Sequence, residues 1–312
     1  MGRRLLYWEL VNSEFACNEV IHGVEMKNQV FEQTYDVLGM KIKNPIIVGS
    51  GLLSDQDKYI RQFIVHGAGA VVTKTIYPNS EKLHTEKTYS ISTGMLNNTT
   101  YSKKTVEHWL TILSEFKREQ LPVIVSVHAE SPGELGSLAA RISEVTDAPL
   151  ELGISCLHAD DFIEDTPERV FNYAKAVKER VDTSFSVKLA LGDNLYGRVQ
   201  AAIEGGAHSI TLSDTISGIV FDGVSGEALL NGVCGYSGPG IKPLVLAAIY
   251  NLRKRGLTIP ILGSGGVQDG NDVHEYMLAG ANTVQVYTAL HRHMYKTLRR
   301  IVLEHAQITM SK

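Results

Sequence analysis

Two lysines occupy positions where a buried β-strand would end. Lys74 ends the run Val71-Val72-Thr73-Lys74, and Lys188 ends the run Phe185-Ser186-Val187-Lys188. A buried ammonium group is costly unless an anion or several acceptors pair with it. The two lysines therefore indicate an electron-rich ligand at these strand ends. The alternative is that each lysine pairs with a neighbouring carboxylate or extends to solvent.

A glycine-rich turn indicates a phosphate site. Gly265 and Gly266 follow a short apolar run and precede a helix predicted to begin at Asp269. Backbone N–H groups in such a turn, together with the N-terminus of the helix, can bind a phosphate. Ser237 and Gly238, just upstream, add further N–H donors. Both stretches could also be ordinary tight turns.

Cys156 ends another strand-like segment, with His158 two residues further on. A lone cysteine is usually a small core residue, and that alternative stays open. Its place at a strand end beside an imidazole favours a reactive thiol, because the imidazole can help to form the thiolate. His128 and His208 are expected to be structural.

Eight β-type segments alternate with amphipathic, helix-type stretches from residue 45 onward. Near-continuous hydrophobicity in these segments is typical of parallel strands that are buried on both faces. The pattern predicts one (β/α)₈ TIM barrel over residues 34–312, whose function lies at the C-terminal strand ends. Residues 1–33 do not show the strand–helix alternation of a barrel and are expected to form an N-terminal extension. Tyr35–Lys43 is expected to form a hairpin at the floor of the barrel. The predicted strands are Ile46–Gly49, Ala70–Thr75, Val123–His128, Leu150–Cys156, Phe185–Leu191, Ser209–Ser213, Ile259–Gly263 and Thr283–Tyr287.

Composition and charge exclude several classes of protein. The chain has 312 residues, 44% of them hydrophobic, and a formal net charge of −4. It has no basic stripe for nucleic acid, no apolar run long enough to span a membrane, and no signal-peptide pattern. The three cysteines are scattered, so no metal or iron–sulfur pattern is present, and a reducing cytoplasm is expected. We expect a cytoplasmic homodimer that acts on a small molecule and binds neither nucleic acid nor membrane.

Several motifs together resemble the dihydroorotate dehydrogenase family over roughly residues 34–305. Each motif is short, but all of them occur in the family's order along one barrel. They are Asn44–Gly51, Gly67–Thr75, Gly94–Asn97, Glu151–Cys156, Val187–Leu189, Ser237–Pro243 and Gly263–Gly266.

The resemblance implies an FMN-dependent oxidoreductase. Cys156 matches the base of the soluble class 1 enzymes, which removes a proton from the carbon next to a carbonyl while a hydride passes to flavin N5. A thiol with a pKa near 8.5 needs only modest tuning for that task. Lys74 and Lys188 are implied to act in catalysis by stabilising the reduced flavin. The implied FMN contacts are Ser50, Gly51, Lys74, Lys188, Thr215, Ser237, Gly238, Gly265, Gly266 and Thr288.

The substrate region departs from the family pattern. Asparagines surround orotate in the family, but here only Asn97 remains, and Gly153, His158 and Asp214 occupy the other matching positions. A site that loses such hydrogen-bond partners loses several kcal/mol of binding. Tyr287 also stands where a glycine next to the phosphate is usual. We predict a retained FMN site and a changed substrate site formed by Asn97, His158 and Asp214.

The leading hypothesis is therefore an FMN oxidoreductase that acts on a substrate other than dihydroorotate, one that presents a cationic or donor-rich group to Asp214. The alternative for Asp214 is an ion pair with Lys188 or His158. A genuine dihydroorotate dehydrogenase of pyrimidine biosynthesis is the second hypothesis. A flavin barrel that reduces uridine in transfer RNA would need a basic face and a helical extension. A non-catalytic ligand-binding barrel is favoured by Tyr287, but the presence of Lys74, Cys156 and Lys188 argues against it.

Overall fold

The computed structural model describes residues 34–79, 87–154 and 165–311. In chain order, the strands of this part are β1 (Tyr35–Val37), β2 (Met40–Ile42), β3 (Ile46–Val48), β4 (Ala70–Val72), β5 (Thr88–Ile91), β6 (Gly94–Asn97), β7 (Val123–Val127), β8 (Leu150–Gly153), β9 (Phe185–Leu189), β10 (Ser209–Leu212), β11 (Ile216–Gly218), β12 (Cys234–Ser237), β13 (Ile261–Ser264) and β14 (Thr283–Val286). The helices are α1 (Asp57–Val65), α2 (Val106–Glu119), α3 (Pro132–Ser143), α4 (Pro167–Lys178), α5 (Leu195–Glu204), α6 (Lys242–Lys254), α7 (Gly270–Ala279) and α8 (Met294–Met310).

Eight of these strands form a closed parallel barrel, in the order β3-β4-β7-β8-β9-β10-β13-β14, with β14 pairing back to β3. Each predicted barrel strand has a counterpart, so the prediction of a (β/α)₈ TIM barrel is confirmed. Ile46, Val125, Val187 and Ile210 are fully buried in these strands. This agrees with strands that are covered on both faces.

The helices cover the outside of the barrel and begin and end at residues with recognisable capping roles. Thr105 caps α2 by accepting a hydrogen bond from the N–H of His108, and Thr166 caps α4 in the same way. Gly280 ends α7 in the left-handed conformation, with a φ of 108°. Within the described residues, no helix is long and apolar enough to cross a membrane.

The expected hairpin is present at the floor of the barrel. β1 and β2 pair antiparallel, and Val37 and Ile42 pack against the inward-facing Ile47, Val72 and Ile124 of the barrel strands. The hairpin therefore closes the end of the barrel opposite the functional end.

An antiparallel sheet lies outside the barrel and was not predicted from the sequence. Its strand order is β11-β12-β6-β5. β6 ends at Asn97 and β12 ends at Ser237. The sheet therefore brings two predicted site residues, which are far apart in sequence, to the same cavity.

Candidate active site

One cavity lies at the C-terminal ends of the barrel strands and is bordered by the antiparallel sheet. Cys156 and His158 lie outside the described residues. Of the other predicted site residues, Gly238 alone is not in the cavity wall. Those in the wall are Ser50, Gly51, Lys74, Asn97, Lys188, Asp214, Thr215, Ser237, Gly265, Gly266 and Thr288.

The turn after β13 requires glycine. Gly266 has a φ of 75°, and a Cβ atom there would lie 2.6 Å from the carbonyl oxygen of Gly238. Gly238 therefore lies behind the turn and fixes its position, although it does not line the cavity. Gly265 also has a positive φ, of 139°. This backbone leaves N–H groups near the cavity surface, where an anion can approach them.

Side chains from α7 support this turn. The Tyr276 hydroxyl donates to the carbonyl oxygen of Gly265 at 2.5 Å, and Asp272 accepts from the backbone N–H of Gln268 at 2.6 Å. Asp269 caps α7, as the sequence predicted. The N-terminus of α7 and the glycine turn are thereby held together, which is the arrangement of a phosphate site.

Two hydroxyl groups lie in the same cavity wall as the glycine turn. Thr288, just beyond β14, donates from Oγ1 to Ser237 Oγ at 2.9 Å. The two residues are 51 positions apart and reach each other from different elements. Thr288 donates its hydroxyl hydrogen to Ser237, and Ser237 donates to the carbonyl oxygen of Met95 at 3.4 Å, so each hydroxyl would have to rotate to donate to a phosphate beside Gly265 and Gly266.

Tyr287 lies against the loop after β3. The ring is so close to Gly51 that a Cβ atom there would fall 2.1 Å from the tyrosine Cζ. The Tyr287 hydroxyl accepts from the N–H of Leu53 at 3.3 Å. Gly51 therefore makes room for Tyr287, and the neighbouring Thr288 keeps its contact with Ser237.

Lys74 and its neighbours form a polar wall. Lys74 is 4% exposed and lines the cavity. A chain of hydroxyl groups runs beside it: Ser50 Oγ lies 3.3 Å from Thr75 Oγ1, which lies 2.9 Å from Ser126 Oγ. Thr75 and Ser126 were not predicted, because an isolated hydroxyl residue in a strand or after one is not distinctive in a sequence.

Lys188 lies between two carboxylates. Its Nζ is 3.7 Å from Glu151 Oε1 and 3.8 Å from Asp214 Oδ1. Burial alone lowers the pKa of Lys188, but Asp214 and Glu151 outweigh that effect and raise the pKa above its usual value. Lys188 therefore carries its positive charge in the cavity wall at neutral pH.

Glu151 is a functional candidate that the sequence analysis missed. Its side chain is fully buried, and its Oε2 accepts from Thr211 Oγ1 at 2.9 Å and from Gln285 Nε2 at 2.5 Å. The available signal was an acidic residue inside the apolar strand β8, which needs a buried partner.

Asp214 also forms the ion pair that the sequence analysis gave as an alternative. Its Oδ1 faces Lys188 and accepts from the backbone N–H of Thr215 at 2.8 Å. The side chain is 39% exposed. Its charge is therefore partly balanced within the protein.

Most hydrogen bonds of the Asn97 side chain are made within the protein. Its Nδ2 donates to the carbonyl oxygen of Gly235 at 3.2 Å, and its Oδ1 accepts from the hydroxyl of Thr99 at 2.9 Å. An amide nitrogen has two hydrogens, so one donor is left for a ligand. Asn97 thus joins β6 to β12 as well as lining the cavity.

His128 has a structural environment. Its Nδ1 donates to the carbonyl oxygen of Gly153 at 2.9 Å, and its ring stacks on Tyr101 with centroids 4.5 Å apart. Burial lowers the pKa of His128 to about 4, so the ring is neutral near pH 7.

The fold and the cavity define a TIM-barrel protein with two lysines in the cavity wall. The same wall contains a group of residues suited to binding phosphate, which we call the phosphate cradle: Ser237, Gly265, Gly266 and Thr288. A family model described as dihydroorotate dehydrogenase matches residues 33–308. A protein of Pyrococcus abyssi is 34% identical over 85% of this chain and 90% of its own length. A protein of Pyrococcus horikoshii is 35% identical over 85% of this chain and 88% of its own length. A protein of Methanothermobacter thermautotrophicus is 34% identical over 81% of this chain and 86% of its own length. All three are named dihydroorotate dehydrogenase B (NAD(+)), catalytic subunit.

The chain therefore belongs to the dihydroorotate dehydrogenase family. As a member, it is an FMN-dependent dehydrogenase that acts on CH–CH groups. The described residues fit this cofactor, because Gly265 and Gly266 form a turn without side chains and the hydroxyls of Ser237 and Thr288 meet beside it in the same cavity.

We expect Gly266→Ala to weaken FMN binding at least about tenfold, equivalent to about 1.4 kcal/mol. The new Cβ would meet the Gly238 carbonyl oxygen, and a φ of 75° is unfavourable for alanine. Quenching of FMN fluorescence measures the dissociation constant. Gly223→Ala is the control, because a Cβ atom at Gly223 would have no described atom within 4 Å. Equal affinity in the two variants would contradict a role for this turn.

Proposed function

We propose that this protein oxidises dihydroorotate to orotate, with FMN as the electron acceptor. The names of its relatives support this substrate over a different one. The observation that carries the proposal is the Lys188–Asp214 ion pair, at 3.8 Å. An unbalanced Asp214 would repel the orotate carboxylate, whereas a carboxylate paired with a lysine repels it much less.

Different residues of the cavity would bind the cofactor and stabilise charge in this reaction. Gly265, Gly266, Ser237 and Thr288 would hold the phosphate through backbone N–H groups and hydroxyls. When bound, FMN supplies a two-electron hydride acceptor. Lys188 would supply positive charge to stabilise the negative charge that develops in the reaction.

Other residues bind substrate or move its proton in this proposal. Lys74 supplies a second cation to the cavity wall, and Asn97 offers its remaining amide hydrogen to the substrate. Cys156, which remains a prediction outside the described residues, would take the proton from the carbon next to the carbonyl.

Two observations favour a second candidate, a related substrate with a cationic or donor-rich group. Asp214 is 39% exposed at the cavity. Gly153 also lines the cavity, and a Cβ atom there would have the Val127 carbonyl oxygen as its nearest described neighbour, 3.8 Å away. The space left by the missing side chain and an accepting carboxylate would suit an amine or amidine.

Reduction of the bound flavin distinguishes the two substrates. We expect dihydroorotate at sub-millimolar concentration to bleach the flavin of the wild-type protein rapidly in an anaerobic stopped-flow experiment. Asp214→Asn should change this rate only a few-fold, because Lys188 already offsets part of the Asp214 charge and the side chain is 39% exposed. No bleaching by dihydroorotate in the wild type, with rapid bleaching in Asp214→Asn, would instead assign the pocket to the second candidate.

Assembly and location complete the proposal. The relatives are named catalytic subunits, which supports a second, electron-accepting subunit for this chain as well. We propose a homodimer of this chain as the core of that assembly, in the cytoplasm, where few and scattered cysteines are usual. Light scattering of the purified protein measures the dimer.

A further inference from the structure

Lys188 shares one positive charge between two carboxylates that differ in burial. Glu151 is fully buried, whereas Asp214 is 39% exposed and lines the cavity. The distances from Nζ are nearly equal, at 3.7 and 3.8 Å. We call Glu151, Lys188 and Asp214 the charge triad. With one ammonium and two carboxylates, the triad has one negative charge in excess.

Glu151 holds the inner end of the triad in place. Its Oε2 is fixed by Thr211 and Gln285, which reach it from β10 and β14. Glu151 and Lys188 come from the neighbouring strands β8 and β9, where Gly153 pairs with Lys188. The lysine is thus anchored to the barrel interior by Glu151, and the pairing with Asp214 is additional.

Asp214 faces the cavity in which the phosphate cradle lies. The triad and the cradle residues Gly265 and Gly266 belong to the walls of the same cavity. Reduced flavin is stabilised by positive charge and destabilised by negative charge near its ring. Charges in a cavity wall act over several ångströms, because protein screens them less than water does.

We propose that Asp214 is a tuning residue that lowers the reduction potential of the bound flavin by offsetting the charge of Lys188. The inference rests on the FMN dependence of the family and not on the identity of the substrate. As a consequence, the reduced flavin gives up its electrons more readily. If Lys188 paired with Glu151 alone, the reduced flavin would be more stable.

The test is a potentiometric titration of the FMN-loaded, full-length protein with reference dyes and an enzymatic reductant. We expect Asp214→Asn to raise the midpoint potential by about 30 mV or more, which is a tenfold increase in the ratio of reduced to oxidised flavin for a two-electron couple. Asparagine keeps an oxygen that can accept from the Thr215 N–H, so FMN content should be unchanged.

Two further variants make the result specific. Asp214→Glu keeps the charge and should change that ratio less than twofold. Asp193→Asn removes an exposed carboxylate that lies on the same side of the barrel but outside the cavity wall, and it should also leave the ratio unchanged. A wild-type potential in Asp214→Asn, or an equal shift in Asp193→Asn, would overturn the proposal. Because no dihydroorotate is used, failure of the proposed substrate would not affect this result.

Discussion

Replacing Cys156 with serine should slow the reduction of bound flavin by substrate about 10²- to 10⁴-fold at neutral pH, the range that general acid–base catalysis usually contributes. A thiol has an ordinary pKa of about 8.5, whereas a hydroxyl is far less acidic and is a poor base in its neutral form. FMN content should be unchanged, because the phosphate cradle is formed by other elements. Anaerobic stopped-flow absorbance measures the rate.

The dependence on pH gives a second readout for the same variant. In the proposed reaction the Cys156 thiolate is the base, and on that proposal the wild-type rate should rise as the pH increases through the thiol pKa and then level off. In Cys156→Ser the rate should still be rising at the highest pH that the protein tolerates. Cys234→Ser is the matched control, since Cys234 is buried and outside the cavity wall. A near-wild-type rate in Cys156→Ser would assign that cysteine to the core.

The barrel could be predicted because its signals are local. Each parallel strand is buried on both faces, so a run such as Val123–Val127 is apolar apart from Ser126 and stands out from the helices around it. The glycine turn was also local, since Gly265 and Gly266 adopt backbone conformations that disfavour other residues.

The pairing of side chains across the barrel could not be predicted in the same way. Glu151 and Gln285 are 134 residues apart, and only strand register brings them together. Asn97 was predicted to bind substrate, yet most of its hydrogen bonds go to Gly235 and Thr99. The sheet that contains β6 and β12 explains this. The signal for it in the sequence is weak because its strands are three or four residues long and, as in Thr88–Ile91, are not buried on both faces.

The second large effect is expected on stability, when the buried ion pair between Lys188 and Glu151 is removed. Lys188→Met should lower the free energy of unfolding by about 3–5 kcal/mol, because removing one partner of a buried pair leaves the other charge uncompensated. Glu151 is fully buried, and its carboxylate would face a methionine in place of an ammonium group. Asp214 adds less to the loss, since it is partly exposed.

A double-mutant cycle assigns the loss to Glu151. In the Lys188→Met background, Glu151→Gln removes the uncompensated charge of Glu151 and should recover most of the lost stability. Each single variant is expected to be destabilised. Lys41→Met is the control, because Lys41 is 70% exposed and pairs with Asp36 at the surface, where ion pairs contribute about 0–1 kcal/mol. Urea denaturation of FMN-free protein gives the free energies without a contribution from cofactor binding. A loss below about 1 kcal/mol in Lys188→Met, or no recovery in the double variant, would show that the barrel interior does not depend on this pair.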